Sequence, residues 1–210
     1  MPARNPYPTA AAFMPDRLSL ASLRRAVQDC RGCPLHENAT QAVFGDGAAH
    51  ADVMFVGEQP GDFEDVTGAP FVGPAGKVFD RALGEVGIDR KRTYVTNAVK
   101  HFKWKARGTR RIHDKPSWTE QMACRPWLEA EIAVVKPQAL VLMGATAAQS
   151  LLGKSFRVTQ SRGTPIESDL AELVTATIHP SAVLRAEDRE EMFAGLVDDL
   201  RVVAKFASSA

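Results

Sequence analysis

The sequence has few cysteines, no long apolar run and almost no net charge. Its three cysteines are an odd number, which argues against a disulfide framework and favours a reducing compartment. No apolar stretch is long enough to span a membrane, and residues 1–16, rich in proline and alanine, are too broken for a signal peptide. These absences predict a cytoplasmic protein whose residues 1–16 form a flexible N-terminal arm.

The net charge of +1 neither favours nor opposes binding to nucleic acid, but the charge is unevenly placed. Residues 100–115 contain seven lysines or arginines and a single acid, with Phe102 and Trp104 between them. A basic segment with interleaved aromatic residues is typical of a surface that binds phosphates.

Within that segment, residues 108–117 (GTRRIHDKPS) place His113 beside Arg110 and Arg111 in a predicted loop. The simplest interpretation is a solvated basic turn, which is what most charge runs are. The alternative is a nucleophile or proton carrier held against a polyanion. The other motifs of the sequence are needed to choose between these two interpretations.

Short apolar runs alternate with helical patterns along the chain. The near-continuous hydrophobicity of the runs predicts strands buried on both faces of a parallel sheet, in a single α/β domain over residues 17–210. The predicted strands are Asp52–Glu58, Thr93–Val99, Ala139–Gly144 and Leu173–His179. The predicted helices are Arg17–Gln28, Gly76–Val86, Ser117–Val135, Ala145–Leu152 and Arg189–Phe206.

The carboxyl ends of these strands carry the most informative residues, since ligands of parallel sheets bind there. The ends read GEQPGD, TNAVKH, MGATA and HPSAVLR. The glycine-rich residues 57–76 match neither the GxGxxG fingerprint nor a P-loop, so a nucleotide cofactor has little support. A turn-rich loop would explain the glycines but would leave Glu58 at a strand end without a role.

The three cysteines could form part of a metal or redox site. Cys30 and Cys33 have C-x-x-C spacing, and Cys124 lies within a predicted helix. This spacing alone fits either redox chemistry or zinc, and a tetrahedral site needs a fourth ligand. His101, just past a strand end, is the candidate ligand, although a lone histidine is as often a structural residue.

Six separated motifs together resemble the family-four uracil-DNA glycosylases, which carry an iron–sulfur cluster. They are CRGC, GEQPGD, PFVGPAG, TNAVKHF, ACRPWL and HPSAVLR, and they extend from residue 30 to residue 185. Ordinary members have cysteine where this chain has His101, and they lack an RRIH loop. In both respects the chain is similar to the UdgX-type branch, whose members excise uracil and then stay covalently joined to DNA. The resemblance implies a three-layer fold with a central four-stranded parallel sheet flanked by helices.

The resemblance also implies a cofactor and its ligands. Cys30, Cys33, His101 and Cys124 would together bind one [4Fe–4S] cluster. From the ligand types alone, a structural zinc site with three cysteines and one histidine remains open.

A uracil pocket is the second implication, since the base must leave the stack to be read. Phe71 would stack on uracil, Asn97 would hydrogen-bond its Watson–Crick edge, and His179 would donate to O2 and stabilise the charge on the departing base. Phe71 could instead be a core residue, and Asn97 could be structural. Three more residues would close the pocket: Gln59, Gly61 and Asp62.

Covalent capture is the third implication. His113 would attack the deoxyribose C1′ after the base leaves, and Glu58 is one acceptor for the imidazole proton. The alternatives are an ordinary turnover glycosylase, in which His113 contacts phosphate, and a non-catalytic module that grips uracil-containing DNA. The partner is uracil-containing DNA, single- or double-stranded, bound by a monomer that associates with the nucleoid. The predicted DNA contacts are Lys100, Arg110, Arg111, Ser181 and Arg185.

Overall fold

The computed structural model describes residues 7–209. Its strands are β1 (Asp46–Gly47), β2 (Val53–Gly57), β3 (Thr93–Asn97), β4 (Trp104–Arg107), β5 (Arg110–His113), β6 (Ala139–Met143), β7 (Pro165–Ile166) and β8 (Leu173–Thr177). Its helices are α1 (Leu20–Ala26), α2 (Asp62–Thr67), α3 (Pro74–Glu85), α4 (Trp118–Val135), α5 (Ala145–Leu152), α6 (Val158–Ser161), α7 (Ser181–Arg185) and α8 (Arg189–Ser209).

The central sheet confirms the four predicted parallel strands. Its order is β1-β3-β2-β6-β8-β7, and β2, β3, β6 and β8 pair in parallel. Every residue of these four strands is buried, as their continuous hydrophobicity requires. The sheet has six strands rather than four, because the two-residue strands β1 and β7 add an antiparallel edge on each side.

The two faces of the sheet are covered by different helices, which confirms the three-layer α/β fold. Phe55 and Val141 belong to the core formed with α3, α7 and α8, whereas Met54 and Leu142 belong to the core formed with α4, α5 and α6. Alternate residues of each strand therefore enter opposite cores.

The predicted helices are present, with small shifts at their ends. Ser117 caps α4 by accepting a hydrogen bond from the Glu120 N–H, which fixes its start where the sequence predicts it. The predicted helix Arg17–Gln28 is shorter, because Ser19 caps α1 and its last turn tightens into a 3₁₀ turn at Val27–Asp29.

Part of the predicted N-terminal arm packs against the domain instead of extending away from it. Ala10–Phe13 forms a 3₁₀ turn, Ala10 is buried, and the Thr9 N–H donates to the Gly32 carbonyl at 3.1 Å. This segment packs in a third core with Cys30 and Cys33, so it belongs to the domain. Residues 1–6 of the predicted arm lie outside the described residues.

The basic segment forms a two-stranded hairpin, and the prediction of a loop was wrong. Strand β4 pairs antiparallel with β5, and Gly108 adopts a φ of 60° in the turn between them. His113 lies opposite Trp104 at the base of the hairpin and not at its tip. Both strands are largely exposed, so the alternation that marks a half-buried strand is missing from the sequence.

In the part of the chain that the structure describes, no helix is both long and apolar enough to cross a membrane.

Candidate active site at the carboxyl edge of the sheet

Gly57, the last residue of β2, marks the point where three predicted pocket residues converge. A β-carbon built on Gly57 would lie 2.4 Å from Asn97 Oδ1, 2.6 Å from Phe71 Cζ and 3.3 Å from His179 Nε2. Any side chain larger than hydrogen would therefore collide with the pocket. The structure brings these three residues together from β3, the loop before α3 and the segment after β8, and their contacts with uracil stay a prediction.

The backbone of Phe71 is held in a strained conformation. Its φ is 59°, a left-handed value that costs a non-glycine residue about 1–3 kcal/mol. Gly76 permits this geometry, since a β-carbon there would lie only 1.7 Å from the Phe71 carbonyl oxygen. The ring of Phe71 packs against Phe79 with centroids 5.4 Å apart and also faces His179 at 6.1 Å. Phe71 is thus a core residue whose ring also lies near His179, and its predicted stacking on uracil stays a prediction.

The Asn97 side chain makes no hydrogen bond to any residue in the described chain. Asn97 is 3% exposed, and only its backbone carbonyl accepts a side-chain hydrogen bond, from Lys100 Nζ at 2.8 Å. Its amide atoms keep some contact with solvent, since Gln121 Oε1 is the only enclosed side-chain nitrogen or oxygen without a partner among the described residues. An unpaired amide facing Phe71 and His179 is suited to binding a planar ligand with complementary donors and acceptors.

Ser181 fixes the tautomer of His179. The Ser181 backbone N–H donates to His179 Nδ1 at 3.2 Å, so Nδ1 is an acceptor and the ring hydrogen lies on Nε2, which faces the pocket. Burial is the main reason that the pKa of His179 falls to about 4; Glu58 opposes this shift, and Arg185 and His113 add to it. His179 is therefore a neutral donor at pH 7. The Ser181 hydroxyl lies 2.8 Å from Nδ1 and accepts from Arg185, so this side chain orients His179, a role that the predicted DNA contact did not include.

This burial predicts a pH-dependent stability. Between pH 6.5 and about pH 4, the unfolded chain binds a proton at His179 that the folded chain does not. The stability that this residue contributes is complete above pH 6.5 and is lost progressively as the pH falls towards 4. Urea unfolding measures the free energy of unfolding at pH 7 and at pH 5. This free energy should fall less between the two pH values for His179→Gln than for the parent chain. Equal losses in the two proteins would contradict the assignment.

Glu58 lies between the hairpin and α5. Its Oε1 is 3.0 Å from His113 Nε2, and its Oε2 accepts a hydrogen bond from the Thr146 hydroxyl. Burial alone would raise the pKa of Glu58, but the hydrogen bonds from His113 and Thr146 outweigh it and hold the pKa below its usual value. Glu58 is therefore an anion beside a half-exposed imidazole. Thr146 was not predicted as a site residue, although the strand-end motif MGATA contains it.

The hairpin is held against the sheet by polar contacts with the loop that follows β2. The Gln59 amide donates to the Lys103 and Asp114 carbonyls at 3.1 Å each and accepts from the Lys103 N–H at 3.0 Å. Lys103 precedes β4 and Asp114 follows β5, so these bonds hold both strands at the open end of the hairpin. Gln59 therefore has a structural function in addition to its predicted contact with uracil, which stays a prediction.

A second anchor joins the hairpin to α2. Arg111 lies 2.6 Å from both Asp62 and Asp65, and Asp65 is fully buried while accepting further bonds from Thr40. The guanidinium also lies 5.7 Å from the centre of the Trp104 ring. Arg111 and Asp62 thus bind each other, and Arg110 is the more exposed member of the arginine pair.

Lys100 does not lie on a DNA-binding surface, and that prediction was wrong. Its side chain is fully buried, and Nζ donates to Glu131 on α4, to Thr96 Oγ1 at 2.7 Å and to the Asn97 carbonyl. Glu131 accepts further bonds from Tyr94 at 2.9 Å and from the backbone N–H of residue 45 at 3.0 Å. A buried charge is stable only when it is paired in this way.

The four predicted metal ligands are all buried, and the three cysteines among them share one core. Cys30, Cys33, His101 and Cys124 are each about 4–5% exposed, and all three cysteines are free thiols. Two sulfurs already accept hydrogen bonds, Cys30 from Trp127 Nε1 at 3.2 Å and Cys124 from the Lys100 N–H at 3.3 Å. Among the described residues, no group of three or more metal-binding side chains is arranged around a single ion.

The chemistry of this donor set still suits a polynuclear cluster. Burial raises the pKa of Cys124 to about 12 and that of Cys33 to about 11, and the neighbouring Cys30 raises both further. These two thiols are therefore protonated at pH 7 unless the positive charge of a bound metal favours the thiolate. A cubane cluster binds its ligands through different irons, so its ligands lie farther apart than those around one ion. N–H donors to the sulfurs are also typical of cluster sites.

Comparison with known proteins agrees with this geometry. A profile of the uracil DNA glycosylase superfamily matches residues 44–201, which contain Glu58, Phe71, Asn97, His113 and His179. The chain belongs to the uracil DNA glycosylase superfamily. Cys30 and Cys33 lie before the matched region.

Several superfamily relatives bear the name Type-4 uracil-DNA glycosylase. The protein of Thermotoga maritima is 40% identical over 166 residues, covering 78% of this chain and 82% of its own length. That of Pyrobaculum aerophilum is 33% identical over 176 residues, with coverages of 80% and 86%. That of Archaeoglobus fulgidus is 34% identical over 181 residues, with coverages of 82% and 87%. The predicted resemblance to family four is confirmed at this level.

Proposed function

We propose that the protein is a uracil-DNA glycosylase that is trapped covalently on its substrate through His113. The family and the type-4 relatives support the excision of uracil from DNA. The observation that carries the trapping step is the contact of 3.0 Å between His113 Nε2 and Glu58 Oε1. This contact supports the proposal, because it pairs the proposed nucleophile with an anionic group that can accept its proton.

Excision uses the three side chains that converge at Gly57. Uracil enters the pocket after leaving the base stack, with its face on Phe71 and its Watson–Crick edge on the unpaired Asn97 amide. The glycosidic bond breaks with its electron pair on the base. His179 Nε2–H donates to the oxygen where this charge accumulates, and a donor fixed in advance by Ser181 needs no reorganisation.

Capture follows at the sugar. One imidazole nitrogen of His113 forms a bond to the cationic C1′, and the proton of the other ring nitrogen passes to Glu58 Oε1. The product is a neutral alkyl-imidazole, which is a poor leaving group. Positioning of the ring by the hairpin gives His113 a high effective concentration relative to water.

The decisive test is incubation of the protein with a uracil-containing oligonucleotide. We expect one molecule of free uracil and one denaturant-resistant protein–DNA complex per protein chain, measured by chromatography and a denaturing gel. Multiple turnovers without such a complex would establish an ordinary glycosylase. Binding without uracil release would establish a non-catalytic module and contradict the proposal.

A [4Fe–4S] cluster bound by Cys30, Cys33, His101 and Cys124 is the second part of the proposal. The cluster would join the N-terminal segment to α4, because Cys30 and Cys33 lie in the former and Cys124 in the latter. Its function there is structural, and no step of excision or capture needs an electron. Zinc is the alternative occupant that the ligand types allow.

The cluster predicts a brown protein with about four iron atoms per chain. Cys124→Ser should remove the colour and lower the free energy of unfolding, because binding of the cluster contributes to folding. His101→Cys should keep both colour and stability and serves as the matched control. A colourless protein with one zinc ion per chain would refute the cluster.

We further propose a cytoplasmic monomer that joins the nucleoid when it binds DNA. The exposed positive charge of Arg110 on β5 and of Arg185 on α7 supports contacts with phosphates near the pocket.

A further inference from the structure

Large apolar side chains are concentrated on the surface around the candidate pocket. Among the described residues, five such side chains are exposed: Leu18, Phe63, Val66, Val72 and Ile112. All except Leu18 lie on the segments that form the site. Scattered apolar residues need no explanation, but a concentration beside a site indicates a binding surface.

Phe63 and Val66 are the most exposed of these residues, at 62% and 60%. They lie one turn apart on α2 and therefore share a face of that helix. The acidic side chains of α2 already have a partner, because Asp62 and Asp65 bind Arg111 of the hairpin. The helix thus turns its apolar face towards solvent while its acidic face holds the hairpin.

The position of this apolar face is fixed relative to the pocket. Glu64, next to Phe63, accepts hydrogen bonds from the Gly61 N–H at 3.1 Å and from the Gly73 N–H at 2.9 Å. One carboxylate therefore joins the loop after β2 to the loop that carries Phe71 and the exposed Val72. We call Phe63, Val66 and Val72 the apolar rim.

The positive charge next to the apolar rim indicates the chemical class of its ligand. The hairpin anchored to α2 presents the exposed side chains of Lys105, Arg107 and Arg110. A ligand that fits both surfaces must combine flat apolar faces with closely spaced negative charges. Unstacked nucleotides have this combination, since each base offers an aromatic face and each linkage a phosphate.

We infer that the apolar rim binds a nucleobase adjacent to the excised uracil, with Phe63 stacking on that base. This inference rests on the proposed function and extends it to the neighbouring nucleotide. Flipping one base from DNA leaves its neighbours without a stacking partner. An aromatic side chain that replaces the partner would lower the cost of flipping and would favour single-stranded or easily opened substrates.

The test uses a single-stranded oligonucleotide with 2′-fluoro-deoxyuridine, which resists glycosidic cleavage, flanked by the fluorescent base 2-aminopurine on either side in turn. The parent protein should quench one of the two probes on binding. Phe63→Ala should abolish this quenching and weaken binding by at least about 10-fold, whereas Phe63→Trp should retain both. Leu18→Ala, an exposed residue outside the site, is the matched control and should behave as the parent.

The outcomes separate this inference from the proposed function. If the parent releases uracil from normal substrate but Phe63→Ala binds and quenches like the parent, the apolar rim has no part in DNA binding. If Phe63→Ala instead changes the sedimentation of the free protein, the apolar rim contacts a second copy and the inference is wrong. Absence of uracil release by the parent would count against the proposed function itself. Circular dichroism of Phe63→Ala should show an intact fold, as expected for so exposed a residue.

Discussion

Replacement of His113 by serine is expected to abolish the denaturant-resistant complex while uracil is still released. The pocket residues Phe71, Asn97 and His179 do not depend on His113 for their positions, because separate segments hold them. Water would then reach the sugar cation, and the variant would leave an abasic site and turn over. The measurement is a denaturing gel together with quantification of free uracil. The complex should fall from about one per chain to none detectable.

Two further variants give the control for this result. Lys115→Ala removes an exposed amine next to the hairpin that could act as the nucleophile instead, and it should leave the complex intact. Arg110→Ala should slow its formation in a salt-dependent way, since a phosphate contact is screened by salt. Cross-linking by His113→Ser, or an added deoxyribose mass that maps to Lys115, would show that the imidazole is not the nucleophile.

Replacement of Lys100 by methionine is expected to destabilise the fold by roughly 3–5 kcal/mol, the usual cost of leaving one member of a buried ion pair alone. Glu131 would remain fully buried with only the neutral donors Tyr94, Thr96 and the residue 45 N–H. The methionine side chain matches the length of the lysine stem, so the change keeps the packing and removes the charge together with the three hydrogen bonds of Nζ. Urea denaturation measures the effect.

The matched control is the double variant Lys100→Met/Glu131→Gln. Glutamine keeps an oxygen that accepts from Tyr94 and the residue 45 N–H but carries no charge, so the double variant should recover most of the lost stability. A DNA-contacting lysine would behave differently: Lys100→Met would then be as stable as the parent and would bind DNA more weakly. That outcome would restore the surface role that the burial of Lys100 argues against.

The central sheet could be predicted from the sequence because its signal is local. A run such as Val53–Gly57 is buried on both faces, so every residue is apolar or small, and the period of the pattern need not be known. The meeting of Glu58, Asn97 and His179 followed from the same signal, since the carboxyl ends of parallel strands lie at one edge. The bounding strands β1 and β7, with two residues each, are too short to leave a pattern.

The errors at Lys100 and in the hairpin have a different origin. Lys100 is buried because Glu131, on a helix formed later in the chain, neutralises it, and no local pattern reports such a partner. Strands β4 and β5 are exposed and pair only with each other, so they lack the apolar alternation by which strands are recognised. Arg111 lies within a basic run, but its partners Asp62 and Asp65 come from a distant segment. In each case a contact remote in sequence determines the environment.

The two short edge strands also bear on how the chain avoids aggregation. Any of the four long parallel strands would expose a row of unpaired amides and carbonyls if it lay at the edge of the sheet. Such edge strands pair with strands of other molecules and promote aggregation. Here β1 and β7 occupy both borders, each too short to template another strand, and Pro165 removes one donor from β7. Lengthening β7 while replacing Pro165 with valine would therefore create an edge strand that can pair with other molecules, and it would leave the candidate site unchanged.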